Sequence, residues 1–174
     1  IGFFIFIQNP LLMNFFKTAC ILLILTFFTN CENKEKTNSL KMNLDVVIRE
    51  NDSIQIYYTK NTYINFVEEQ SFWKKISGSK KNQTISVDFP DSIQPKQIRI
   101  DFGRNMKQPE IILNEITFAY KGKSFSAKGE EIYHLFRIDE SNTEIDKLIG
   151  SLKRKTPTQN TGPSLYPKGN KLNN

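Results

Sequence analysis

The sequence predicts a mainly β protein, folded as an antiparallel β-sandwich with one short C-terminal amphipathic helix. Apolar and polar residues alternate with a period of two in several segments, which is typical of strands with one buried face. Turn-forming Asn, Asp, Pro and Gly residues separate these segments about every ten residues, as in a sandwich. One stretch near the end has helical spacing instead.

The strand candidates are residues 42–48, 53–59, 84–89, 98–102, 111–120 and 132–138. The side chains expected on the buried face of two of them are Ile85, Val87, Phe89, Ile98, Ile100 and Phe102. Those expected on the exposed face are Thr84, Ser86, Arg99 and Asp101. Because Arg99 and Asp101 share that face, a solvated ion pair is their expected role. A phase slip at Asn114-Glu115 predicts a bulge or a strand break.

The helix is predicted where apolar residues recur at positions i, i+3, i+4 and i+7, namely Ile145, Leu148, Ile149 and Leu152. The preceding SNTE sequence, residues 141–144, fits a capping box. Residues 156–174 contain three prolines and two glycines, and we expect a disordered basic tail there. The sandwich domain is thus expected at residues 42–155.

The N-terminal region contains a short apolar run, MNFFKTACILLILTFFTNCENKEK, from Met13 to Lys36. Its apolar core, residues 18–28, has the length of a signal-peptide core and falls short of the roughly 20 residues of a membrane span. The run ends at Cys31, before a charged stretch. We interpret residues 1–12 as an upstream extension, 13–30 as a signal peptide and 31–41 as a tether. An uncleaved anchor and a buried core segment are the alternatives.

This arrangement resembles the lipobox of bacterial lipoproteins. The resemblance implies that Cys31 is acylated and becomes the new N-terminus, while Cys20 leaves with the signal peptide. It also implies an outer-membrane protein that faces the periplasm or the cell surface, held there by its lipid.

The charge distribution argues against a nucleic-acid partner. Of the 24 Lys and Arg residues, six lie outside residues 31–150, and the remaining 18 equal the 18 Asp and Glu residues. The domain is therefore neutral and has no excess of basic charge for phosphates.

No catalytic residue, metal site or cofactor is predicted. His134 is the only histidine, and a half-buried strand position is a better interpretation of it than a general base. No nucleophile elbow, phosphate-binding loop or zinc motif occurs. Asp88, Asp101 and Glu110 are the acids that a glycosidase would use, but nothing in the sequence selects them.

Aromatic residues are concentrated in YYTKNTYINFVEEQSFW, residues 57–73. Exposed aromatic faces stack on sugar rings, and Asn, Gln, Asp and Arg side chains nearby bind hydroxyl groups. Tyr57, Tyr63 and Trp73 are the candidate ligand-binding residues. The alternative is that these rings cover the edge of the sandwich or fill a second core.

The segments IQIYYTKN, SFWKKISG, QTISVDFP, IRIDFGRN and IILNEITF together resemble jelly-roll, carbohydrate-binding-like modules of bacterial cell-envelope proteins. The resemblance implies a non-catalytic binding or accessory module for a glycan. A structural lipoprotein that docks an envelope protein and a small hydrolase remain the other candidates.

Overall fold

The computed structural model describes residues 38–169, and they form two antiparallel sheets packed as a sandwich. Sheet A contains β1 (Lys41–Ile48), β4 (Gln83–Asp88), β6 (Ile111–Tyr120), β7 (Lys123–Lys128), β9 (Thr143–Asp146) and β10 (Ser151–Arg154). Sheet B contains β2 (Asp52–Thr59), β3 (Ser71–Ile76), β5 (Gln97–Phe102), β8 (Phe136–Ile138) and β11 (Ser164–Pro167). The predicted β-sandwich is confirmed.

Neighbouring strands do not follow the chain order. Sheet A has the order β4-β1-β6-β10-β9, and β7 pairs with the C-terminal half of β6. Sheet B has the order β3-β2-β5-β11-β8. Residues distant in sequence therefore meet on each sheet face.

The core lies between the sheets and follows the predicted alternation. All six side chains expected to be buried are so, from Ile85 to Phe102, and β1 buries every second residue from Met42 to Ile48. Burying each large aliphatic or aromatic side chain contributes about 1.5–3 kcal/mol. The sandwich is therefore stabilised mainly by this interior.

The predicted bulge in β6 is confirmed. Asp45 of β1 pairs with Glu115, whereas the next residue, Val46, pairs with Leu113, so Asn114 is the extra residue. The bulge returns Ile116 to the buried face after Leu113, which resolves the phase slip in the sequence.

The predicted helix at residues 145–152 is wrong in position. Ile145 and Leu152 lie on β9 and β10 and pair with each other across an antiparallel ladder. Leu148, in the turn between these strands, is 89% exposed.

The short helix is instead α1 (Ile132–Leu135), within a segment predicted as a strand. His134 is exposed on this helix. A 3₁₀ turn, Gly129–Glu131, leads into it.

The prediction of a disordered tail is also wrong for the described part of residues 156–174. Ser164–Pro167 forms β11 between β5 and β8, and Leu165 is fully buried. The domain therefore extends beyond residue 155.

The described residues do not include the proposed upstream extension, the signal peptide, Cys31 or most of the tether. None of the helices within residues 38–169 is long and apolar enough to span a bilayer.

Candidate functional site

The outer face of sheet B contains a depression of about 140 Å³, which we call the Trp73 depression. Its lining residues are Gln55, Tyr57, Trp73, Arg99, Asp101, Gly103, Arg104, Asn142, Thr161, Gly162 and Ser164. They come from β2, β3, β5 and β11, from the segments next to β5 and β11, and from the turn before β9, which contributes Asn142. The strand pairing explains why they meet.

The register places the polar and aromatic side chains side by side. Gln55 of β2 lies opposite Trp73 of β3 on one side and Asp101 of β5 on the other. Tyr57 lies opposite Arg99 in the same way. Because alternate residues of a strand share one face, all these side chains point away from the core.

Arg99 is held between two tyrosine rings. Its guanidinium carbon lies 4.8 Å from the ring centroid of Tyr57 and 4.4 Å from that of Tyr166. Its Nε and an Nη atom donate hydrogen bonds of 2.7 and 2.6 Å to the two carboxylate oxygens of Asp101. The predicted ion pair is thus present but half-buried, since each side chain is only 21% exposed. Burial lowers the pKa of Arg99, but the bonds to Asp101 outweigh that effect and raise it.

Glu68 fastens the loop of residues 60–67 and the following 3₁₀ turn, Glu68–Gln70, to this face. Its carboxylate accepts hydrogen bonds from the Tyr57 hydroxyl at 2.8 Å and from the Gln55 amide nitrogen at 2.7 Å. The hydrogen bond from Tyr57 is the main cause of the lowered pKa of Glu68. Burial and the same bond raise the pKa of Tyr57 to about 12. Tyr57 is therefore a neutral hydrogen-bond donor at physiological pH.

Trp73 is 42% exposed on the edge strand β3, and an arginine lies over its ring. The guanidinium carbon of Arg104 is 4.8 Å from the indole centroid. Asp52 positions this arginine, because its carboxylate accepts hydrogen bonds from the backbone N–H groups of Arg104 and Asn105 at 2.9 and 3.2 Å. Reasoning from the sequence misses Arg104, since its contact with Trp73 joins residues 31 positions apart.

The structure brings together two of the three predicted ligand-binding residues. Tyr57 and Trp73 line the Trp73 depression, and neither belongs to the core. Tyr63 is 75% exposed on the adjacent loop and does not line the depression. Phe66 of that loop packs edge-on against Tyr57 and Tyr166, with centroid distances of 6.4 and 6.0 Å. The fourth predicted site residue, Cys31, lies outside the described residues.

The acids considered for catalysis have structural partners. Asp88 pairs with Lys41, Asp101 pairs with Arg99, and Glu110 accepts a hydrogen bond from Ser151. That hydrogen bond is the main cause of the lowered pKa of Glu110, whereas a catalytic general acid needs a raised pKa. Residues 38–169 contain no cluster of three or more side chains suited to a metal ion.

A second, larger cavity of about 660 Å³ lies where the edge strands β8 and β9 adjoin. Its lining includes Phe136, Ile138 and Ile145, with Lys147 and Lys168 also contributing. The Tyr133 hydroxyl beside it is buried and has no hydrogen-bond partner within the described residues. Burial raises the pKa of Tyr133 to about 12.

Comparison with known proteins adds no family to this picture. The chain matches no protein-family model, and no curated protein or solved structure is significantly similar to it.

Proposed function

We propose that the protein is a lipid-anchored, extracytoplasmic binding module and that its Trp73 depression binds a saccharide. The observation that carries the proposal is the exposed indole of Trp73 beside a set of fixed polar side chains. Apolar ring faces and hydroxyl-binding groups in one place are what a sugar site requires.

The polar groups suit sugar hydroxyls because they are held in place by other contacts. Gln55 is only 2% exposed, and its amide nitrogen donates to Glu68 and Ser71, which leaves its carbonyl oxygen as an acceptor for a ligand. Asn142 is held by Ser164 and Thr143. Groups fixed in this way lose little conformational entropy when a ligand binds.

The size of the site limits the ligand. A volume of about 140 Å³ is smaller than the roughly 300–1,000 Å³ of most enclosed ligand pockets. It suits one sugar residue of a longer glycan, bound at the surface. Affinity from one such contact is weak, so binding of envelope glycans relies on many anchored copies.

The membrane attachment in this proposal rests on the sequence. A signal-peptide core followed by Cys31 supports a diacylated N-terminus, and two acyl chains anchor a protein stably where one does not. The lipid and the Trp73 depression would then hold the protein to two components of the envelope.

A protein partner is the second candidate, and a different feature favours it. The loop of residues 60–67 exposes Tyr63 by 75%, Ile64 by 43% and Val67 by 38%. Three neighbouring apolar side chains on one loop form a contact surface that a protein could cover.

Titration of Trp73 fluorescence tests the saccharide proposal, since this residue is the only tryptophan. We expect envelope glycans to shift the emission of the mature protein in a detergent without a sugar headgroup. Calorimetry should show that Trp73→Ala removes binding, whereas Phe125→Ala, at an exposed aromatic residue of sheet A, retains it. Binding of an envelope protein that is lost in Tyr63→Ala and retained in Trp73→Ala would favour the protein-partner candidate.

A further inference from the structure

We propose that the Trp73 depression is selective for acidic saccharides, and that Arg104 binds the carboxylate group of a uronic-acid-type sugar. This inference rests on the proposed saccharide function and specifies its ligand. Three observations support it: the free donors of Arg104, its fixed position and the pairing of the nearby acids.

The guanidinium of Arg104 is available to a ligand. Its side chain donates no hydrogen bond and forms no ion pair within residues 38–169. Arg99, in the same depression, differs because Asp101 occupies two of its nitrogens. The Arg104 side chain is also exposed, so a ligand can reach its N–H groups without breaking a contact inside the protein.

Arg104 is held in position before any ligand arrives. The Asp52 carboxylate accepts hydrogen bonds from the backbone N–H groups of both Arg104 and Asn105, and the guanidinium carbon of Arg104 lies 4.8 Å from the Trp73 ring centroid. Gly103 makes this loop possible, since its φ is +54° and a Cβ atom there would clash with the Asp52 carboxylate. An arginine ordered in this way loses less entropy on binding than a free one.

The acids around the depression do not neutralise Arg104 by direct contact. Asp101 is bound to Arg99, and Glu68 accepts hydrogen bonds from Tyr57 and Gln55. A third acid, Asp52, accepts hydrogen bonds from the backbone N–H groups of Arg104 and Asn105. The three carboxylates together at least balance the charges of the two arginines, so the depression has no excess of positive charge. Its preference for an anion must come from the local donors of Arg104.

The position of Arg104 over Trp73 places those donors beside the site where a sugar would lie. The five N–H donors of a guanidinium lie in one plane. A carboxylate accepts two of them in parallel, which is the geometry that arginine provides and lysine does not. Because Arg104 covers one face of the indole, a neutral sugar has less ring area to stack on. An acidic sugar gains the paired hydrogen bonds in addition.

The test is a glycan array in which each uronic-acid oligosaccharide is paired with its carboxyl-reduced form. The mature protein should bind the acidic member about tenfold more tightly at low salt. This ratio should decrease only partly at about 0.15 M salt, because a hydrogen-bonded contact is much shorter than the Debye length of about 8 Å at that salt concentration. Arg104→Gln should lower the ratio to near one, and Arg104→Lys should give an intermediate value. Arg49→Gln, at an exposed arginine that follows β1 and pairs with Glu110, should keep the wild-type ratio.

The outcomes separate this inference from the proposed function. Equal binding of acidic and reduced glycans that is lost in Trp73→Ala would overturn the acidic preference and retain the saccharide site. A preference that persists in Arg104→Gln would overturn the role of Arg104. No binding to any glycan of the array would overturn both proposals.

Discussion

At the scale of single residues, the site depends on contacts that a strand pattern does not specify. Asp52 begins β2, yet its carboxylate organises the loop after β5, because β2 and β5 are neighbours. Gly103 is needed where that loop passes Asp52, and Arg104 follows it directly over Trp73. One aspartate and one glycine therefore determine where the arginine of the depression lies.

Gly103→Ala should destabilise the protein by more than about 1 kcal/mol, since the added Cβ both clashes with Asp52 and requires a positive φ. Gly122→Ala is the matched control, because φ there is +77° and an added methyl group would meet no atom within 4 Å. Its cost should be the backbone strain alone. Urea unfolding compares the two variants, and equal losses would show that Asp52 does not constrain the loop.

Ile100→Ala should cost about 2–5 kcal/mol, the usual range for truncating a fully buried isoleucine. Arg99→Ala, on the outer face, should lower the free energy of unfolding by more than the loss of an ordinary surface ion pair does, which is about 0.2–1 kcal/mol. The reason is that Asp101 would lose its bidentate partner in a half-buried place. Urea unfolding measures both variants, and a loss in Ile100→Ala no larger than that of an ordinary surface pair would contradict its place in the core.

At the scale of elements, short-range patterns predict the strands well and the C-terminal part of the domain badly. The alternation of apolar and polar residues in β4 and β5 predicts which face of each strand is buried, and this does not depend on which strands pair with them. Ile145 and Leu152, in contrast, fit one helical stripe and also two strands joined by a turn. Gly150, with φ of +66° against the Leu113 carbonyl, favours the turn, but only tertiary contact reveals that.

The tail strand β11 escapes prediction for a related reason. It follows Pro163, ends at Pro167 and has little apolar character, and its stability comes from pairing with β5 and β8 on either side.

The residues of the Trp73 depression can be predicted from the sequence only in part. The local concentration of aromatic residues identifies Tyr57 and Trp73, whereas Arg104 and Asn142 reach the depression only through long-range pairing.

Leu165→Ala and Leu148→Ala give a direct comparison of the tail strand and the turn. Leu165 of β11 is fully buried, so truncating it should cost about 2–5 kcal/mol of unfolding free energy. Leu148 is 89% exposed in the β9–β10 turn, and its loss should change stability by no more than about 0.5 kcal/mol. Thermal or urea unfolding measures both. A larger loss of stability in Leu148→Ala than in Leu165→Ala would favour a buried helix at residues 145–152 and a tail that does not contribute to the fold.

Glu110 links three elements and should make stability depend on pH. It accepts a hydrogen bond from Ser151 of β10 and pairs with Lys153 and Arg49 at 3.5 and 3.4 Å. Because its pKa is lowered in the folded protein, its contribution is present above the ordinary value of 4.5 and is lost as the pH falls through the folded value. Glu110→Gln should thus be less stable than wild type at neutral pH, and the difference should shrink as the pH falls below the ordinary value. Glu144→Gln, at an exposed residue of β9, serves as the control in urea unfolding across this pH range.

At the scale of the whole molecule, the proposed anchor limits where the domain can bind. Lys41, the start of β1, lies ten positions after Cys31, and a fully extended chain of that length spans at most about 35 Å. A lipid on Cys31 would therefore keep the domain close to the bilayer surface. Glycans within that distance are the ones available to the Trp73 depression.

Metabolic labelling with a palmitate analogue tests the anchor with a matched pair of variants, because the chain has only two cysteines. The wild-type protein should carry the label and fractionate with membranes. Cys31→Ser should lose the label, since it removes the residue that we propose is acylated, while Cys20→Ser should keep it. Mass spectrometry of the mature N-terminus should find acylated Cys31 as the first residue. Label retained in Cys31→Ser, or lost in Cys20→Ser alone, would place the modification elsewhere and remove the constraint on the reach of the domain.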